Sequence, residues 1–116
     1  MPTQALPTRA KRKPGERRRT ARLVPPQEIT CYWGRDGKYA RARVYDISAG
    51  GLCMLVSQRL EPGAVLSVEL INGPHTFICT RTARVVRAFP SAGRDAVVGA
   101  QFDRRLTYDE LLPFLL

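Results

Sequence analysis

The chain has 116 residues, enough for one domain with a modest core and too few to add a separate catalytic module. Hydrophobic residues make up 44% and charged residues 25%, an ordinary globular balance that excludes a wholly disordered chain. The formal net charge of +9 is uneven: residues 1–24 carry eight Lys/Arg against one Glu, residues 25–116 eleven against nine Asp/Glu, so the basicity sits at the N-terminal end and implies an anionic partner.

Residues 1–15 contain Pro2, Pro7, Pro14 and Gly15 among Lys11, Arg12 and Lys13, with too few apolar residues to offset the entropy of ordering, and read as a flexible basic arm. Residues 16–116 read as the folded domain. Pro25 and Pro26 cannot continue a helix, so the arginine-rich stretch ahead of them leads into an extended connection.

Alternating apolar and polar residues predict strands over 28–33 and 38–47, with Gly34 to Gly37 as the hairpin turn between them. In the second strand Tyr39, Arg41, Arg43 and Tyr45 share one face, and Ala40, Ala42, Val44 and Asp46 the other. Further strands follow over 52–57, where Leu52, Met54 and Val56 form an apolar face, over 65–71, over 75–89 with a bulge or bend, and over 96–102. Turns at Glu61-Pro62-Gly63, Asn72-Gly73-Pro74 and residues 90–94 separate them. Six short strands with no long helix predict an all-β fold, a small antiparallel barrel.

Residues 106–116 are the one helical candidate, with Thr107 as N-cap and Glu110 completing a capping box. Pro113 limits it to a single turn up to Leu112 or a kinked helix. Leu111, Leu112, Phe114 and Leu115 need cover from a barrel mouth or a partner chain, which leaves a homodimer open.

Cys31, Cys53 and Cys79 are odd in number, widely spaced and set in apolar or β-branched runs, as free thiols of a reducing compartment would be. One histidine, His75, and no Cys-x-x-Cys give no metal-ligand spacing. No run approaches the roughly 20 apolar residues that span a bilayer, and the N-terminus lacks a signal-peptide stretch, so the expectation is a cytoplasmic protein without a membrane span. No nucleophile–base spacing, P-loop or paired carboxylates appear, so neither an enzyme nor a resident cofactor is expected.

Two stretches carry chemistry. Glu16-Arg-Arg-Arg-Thr-Ala-Arg-Leu23 holds four arginines in six positions, and the guanidinium fork matches both phosphate and the O6/N7 edge of guanine. Asp46-Ile-Ser-Ala-Gly-Gly51 places an acceptor, a hydroxyl and two glycines in a tight loop between strands; read alone, it is a structural Asx-type turn, and the arginine run alone a solvated tail.

Together, Arg18-x-x-x-Arg22 and Asp46-x-Ser48-x-x-Gly51 resemble the paired signature of the PilZ domain, a bacterial receptor module for cyclic di-GMP. The resemblance runs from about Glu16 to the C-terminus and implies a six-stranded antiparallel barrel. It further implies that Arg18 and Arg22 contact phosphate and guanine, that Asp46 accepts from guanine N1 and N2, that Ser48 bonds guanine or phosphate, and that Gly50 and Gly51, free to take positive φ, let backbone approach the ligand. Arg17, directly before the first motif arginine, resembles members that clamp two mutually stacked cyclic di-GMP molecules. The implied function is a receptor that relays the messenger to a protein effector by ordering its N-terminal arginine segment; the alternative is a nucleic-acid-binding small barrel with a basic arm. Arg41, Arg43, Arg81 and Arg84 read as solubilising surface arginines, and Gly99 as a small residue of the last strand needed for a bulge, close packing or ligand contact.

Overall fold

The structure, a computed structural model, describes residues 23–116. The expected basic arm over 1–15 and the candidate site residues Arg17, Arg18 and Arg22 lie outside the described residues.

Strand β1 (Thr30–Arg35) and strand β2 (Lys38–Ile47) form a hairpin closed by two residues, Asp36 and Gly37, with φ of 54° and 79°. Such a turn needs positive φ at both central positions, and Asp-Gly is among the pairs that supply it most cheaply. Strand β3 (Gly51–Val56), strand β4 (Val65–Ile71), strand β5 (Ile78–Pro90) and strand β6 (Ala96–Phe102) complete a closed barrel, every neighbouring pair antiparallel, in the order β1-β2-β3-β6-β5-β4.

The second, fourth and sixth strands begin and end where the alternation in the sequence predicts. The first starts two residues later than predicted and gains Gly34 and Arg35, because the two-residue turn lets pairing run on to Arg35 and Lys38. The third is displaced by one residue to begin at Gly51. The fifth begins at Ile78 rather than His75: the Asn72 carboxamide oxygen accepts from the Thr76 and Phe77 amides, both at 2.9 Å, and holds those residues in the turn.

Inward positions alternate along each strand and meet in one core. Leu52, Met54 and Val56 of β3 are buried, as expected, with Leu66, Val68 and Leu70 of β4 and Val98 and Ala100 of β6. Each large side chain so buried stabilises the fold by about 1.5–3 kcal/mol relative to exposure. Trp33 and Cys31 belong to this core; burial pushes the Cys31 thiol up to about 12, so it stays a neutral, inert filler.

At the C-terminus, helix α1 (Tyr108–Leu111) is one turn capped by Thr107, and a 3₁₀ turn, Leu112–Phe114, carries the chain on with Pro113 in its first positions. The proline sits where the missing N–H costs little. Phe114 is buried, edge-on to Phe77 at 5.8 Å between ring centroids, while Leu111 and Leu115 pack on the same core. The apolar end thus covers the barrel it follows.

Candidate functional site

Two amides and two carbonyls join the described start of the chain to the motif loop. Leu23 N–H donates to Ile47 O at 2.9 Å and Ile47 N–H to Leu23 O at 3.0 Å, an antiparallel bridge outside the six strands. Leu23 is the residue after Arg22, and Ile47 stands between Asp46 and Ser48.

The loop that follows is fixed by Ser48. This buried serine's hydroxyl accepts from the Gly50 and Gly51 amides, both at 3.2 Å, and lies 3.3 Å from the Gly51 carbonyl, which also receives the Ser48 amide at 2.8 Å. Gly50 O accepts from Phe102 N–H and Ala49 O from Leu106 N–H, each at 2.8 Å, tying the loop to the end of β6 and to the lead into α1. Serine favours such local turns because its oxygen can replace a backbone acceptor.

Neither Gly50 nor Gly51 has positive φ, contrary to the freedom the sequence invites them to use. Gly51 is required for space: a Cβ there would stand 2.1 Å from the Ala100 carbonyl oxygen on β6. At Gly50 the nearest atom to such a Cβ is Arg105 Nη1 at 3.4 Å, ordinary contact, which also brings a guanidinium to the loop that the sequence pattern did not single out.

Asp46 does not share the face of Ala42 and Val44. The β2–β3 register shifts between Val44 and Asp46, so one extra residue, Tyr45, is accommodated and the alternation changes phase. Val44 packs on the core and Ile47 is fully buried, while Asp46 lies half-buried opposite the half-buried Cys53 on the outer face. The register continues outward from there: Cys53 pairs with Gly99 and Gly99 with Arg87. Asp46, Cys53, Gly99 and Arg87 therefore form one row across β2, β3, β6 and β5. A groove of about 680 Å³ lies further along β2 and β3, with Val24, Pro25, Arg43, Tyr45 and Leu55 in its walls and none of the four row residues among its lining. The Arg43 guanidinium carbon stands 5.9 Å from the Tyr45 ring centroid, within cation–π range.

Of the arginines read as surface residues, Arg81 is not one. It occupies an inward position of β5, is 7% exposed, and donates to Arg104 O at 2.9 Å, to Thr80 O at 3.0 Å and to the Glu110 carboxylate. That pairing raises the guanidinium further above its ordinary value. The Thr107 backbone amide, followed by Arg81, lowers Glu110 from 4.5 to about 2. A second groove, of about 540 Å³, lies on this side, between Tyr32, Glu69, Thr80 and Arg104, and contains none of Asp46, Ser48, Gly50 or Gly51. Among the described residues no group of three His, Cys, Asp or Glu stands close enough to hold a metal, and no helix is long and apolar enough to cross a membrane.

The arrangement brings Asp46, Ser48, Gly50 and Gly51 together with the chain that emerges from Arg22, on an outer barrel face supplied with guanidinium groups. Comparison with solved structures finds the same fold at low identity. The Bacillus subtilis inhibitor of motility, MotI/DgrA, superposes with a TM-score of 0.65 at 16% identity, over 85% of this chain and 48% of that one. The PilZ domain of YcgR from Escherichia coli, solved with c-di-GMP, gives 0.61 at 19% over 85% and 86%. MrkH of K. pneumonia in its apo state gives 0.62 at 20% over 90% and 48%. The chain thus spans about half the length of two of these three. No curated protein matches it. The family profile of the PilZ domain matches residues 16–112, which is most of the chain and includes both motif halves. The chain belongs to the PilZ domain family.

Proposed function

We propose that the protein is a cytoplasmic cyclic di-GMP receptor, a binding protein without catalysis, in which Arg17, Arg18 and Arg22 act with Asp46, Ser48, Gly50 and Gly51. The Leu23–Ile47 bridge carries this reading. One peptide link, about 3.8 Å between Cα atoms, separates Arg22 from a residue bonded to the centre of the second motif. The chain that follows the first motif is therefore bonded to the second, although the two are far apart in sequence. Cyclic di-GMP presents two phosphates and two guanines, and the arginines offer bidentate donors to both while Asp46 offers an acceptor for the guanine N–H edge. The Ser48 hydroxyl already serves the loop, so its contribution is to hold the glycine backbone in place. The likeness to the YcgR PilZ domain, whose structure holds c-di-GMP, supports the same ligand.

On this reading the ligand fixes the posture of the arginine segment ahead of Leu23, and a protein effector reads that posture. Arg17 supplies a third guanidinium to set against the four phosphate charges of two stacked ligand molecules. The nucleic-acid-binding alternative draws no support from the family match.

Titration calorimetry with cyclic di-GMP, against cyclic di-AMP, GMP and a short oligonucleotide, tests this directly. Arg18→Ala or Arg22→Ala should weaken binding by about 1.5–3 kcal/mol, roughly ten- to 150-fold. The wild type should take up about two ligands per chain, falling toward one in Arg17→Leu. Equal binding of cyclic di-AMP, or unchanged affinity in both arginine variants, would overturn the proposal.

A further inference from the structure

On the outer face of β1, β4 and β5 the registers set Tyr32, Glu69 and Thr80 in one row and Gly34, Ser67 and Thr82 in the next. Directly opposed side chains in such rows stand about 5 Å apart. Gly34 leaves its place in the second row open, and the Tyr39 ring from β2 lies over it: a Cβ on Gly34 would stand 2.6 Å from Tyr39 Cε1. The side chains of the two rows and Tyr39, with Asp103 and Arg104 after β6, line the groove of about 540 Å³. It therefore combines two tyrosines with carboxylates and hydroxyls.

Its charge runs against that of the chain. Arg81 also lines the groove but is committed to Glu110, which leaves the carboxylates of Glu69 and Asp103 against the one guanidinium of Arg104, an excess of one negative charge on a chain of net +9. Neither carboxylate has an ion-pair partner among the described residues. Glu69 is half-buried between the half-buried Tyr32 and the exposed Thr80, so its charge is only partly hydrated. A carboxylate beside an aromatic ring is the pair that a guanidinium engages best, with its fork on the oxygens and its plane on the ring. A lysine ammonium matches the charge without the plane. The wall formed by residues 103–104 is also tied to the motif loop on either side, through Phe102 N–H to Gly50 O and Leu106 N–H to Ala49 O, while Asp103 N–H bonds Thr82 O.

We infer that this groove is a docking site for an arginine-bearing segment of a protein partner, with the arginine's fork on Glu69 and its plane against Tyr32. The inference goes beyond the cyclic di-GMP reading and does not depend on it. It also gives the effector of that reading a place on the barrel, at the far end of the segment that holds the motif loop.

The test is an amide NMR titration of the full chain, without nucleotide, with the capped pentapeptide Ser-Arg-Ser-Arg-Ser and with its citrulline analogue, which keeps the shape and loses the charge. Shifts should gather at residues 32, 67–69 and 80–82, and the citrulline peptide should bind at least about fivefold more weakly. Glu69→Gln should weaken the arginine peptide about fivefold, and Tyr32→Leu about threefold, with the fold retained in thermal melts. Asp109→Asn, which removes an exposed carboxylate outside the groove, should bind as wild type does. The inference is overturned if wild type takes up no peptide, if Glu69→Gln and Tyr32→Leu both keep wild-type affinity, or if the shifts spread evenly over the exposed carboxylates. Shifts at the groove residues that grow with protein concentration in the absence of peptide would give the groove to a second copy of the chain and overturn it as well. Calorimetry with cyclic di-GMP separates the two readings: a wild-type chain that binds the peptide at the groove but no cyclic di-GMP loses the receptor reading and keeps this one.

Discussion

The two sides of the barrel are built to different rules. Where β1 meets β2 and β4, and where β4 meets β5, the registers run unbroken and buried residues alternate with outward ones along most of each strand. Around the β3–β6 pair, both outer seams are bulged, between Val44 and Asp46 on one side and between Val85 and Arg87 on the other. A bulge adds a residue that the partner strand cannot match, re-aims the side chains beyond it and sharpens the local twist. Here the re-aimed residues are Asp46 and Arg87, the two ends of one outward row. The regular side holds the fold, and the bulged side spends pairing regularity on where particular polar side chains point.

If that division is right, the largest single effect on the bulged side should come from its tightest backbone contact. Gly51→Ala would drive a methyl to 2.1 Å from the Ala100 carbonyl oxygen, a clash only backbone movement can relieve. We expect a loss of about 3 kcal/mol or more in urea unfolding. Gly50→Ala, one residue earlier with positive φ at neither position, meets nothing closer than 3.4 Å and should change stability by less than about 1 kcal/mol, with any gain arising in the unfolded chain. Similar losses in both would show that the loop is sensitive to any side chain and that the β3–β6 approach is not the reason.

Ser48→Ala should follow, at about 1–3 kcal/mol. Its hydroxyl is the acceptor for two amides, one of them buried, and Ala leaves both without it. Ligand affinity should fall with stability because the Gly50–Gly51 backbone of the loop loses its anchor. Unchanged stability with abolished binding would instead assign the hydroxyl to the ligand.

What could be read from the chain follows from how local each cause is. The capping box of Thr107 and Glu110, the Asp36-Gly37 turn and the alternation in 38–47 and 65–71 depend on residues within a turn or a strand of one another, and they were legible. The six-stranded PilZ barrel was legible through its paired motifs. The bulges were harder, because an extra residue exists only relative to a partner strand: the face of Asp46 follows from its match to Cys53 and could not be obtained by counting along β2. Gly51 looked like a residue wanting positive φ, whereas its reason lies on β6. Arg81 looked solvent-facing for the same cause, since its acceptors at Arg104 and Glu110 are 23 and 29 residues away.

The smallest effect belongs to the regular side and should leave the ligand untouched. Glu110 accepts from the Thr107 amide at 2.8 Å and from Arg81, and these bonds lower its carboxyl from 4.5 to about 2. A carboxyl held below its unfolded value contributes stability that is complete above pH 4.5 and fades as pH falls through about 2, because protons then bind the unfolded chain more readily than the folded one. Glu110→Gln should therefore melt below wild type at neutral pH, and the two curves should converge between pH 4.5 and 2. The difference should be modest, since the Glu110 side chain is 28% exposed and water screens the pair. Cyclic di-GMP affinity at neutral pH should not change, because no hydrogen bond of Glu110 reaches the Ser48 loop. A gap between the two proteins that persists undiminished to pH 2 would mean that Glu110 acts through packing and not through its charge. A loss of binding in Glu110→Gln would show that the two sides of the barrel are coupled through residues 102–107, which carry both the bonds to Ala49 and Gly50 and the cap of α1.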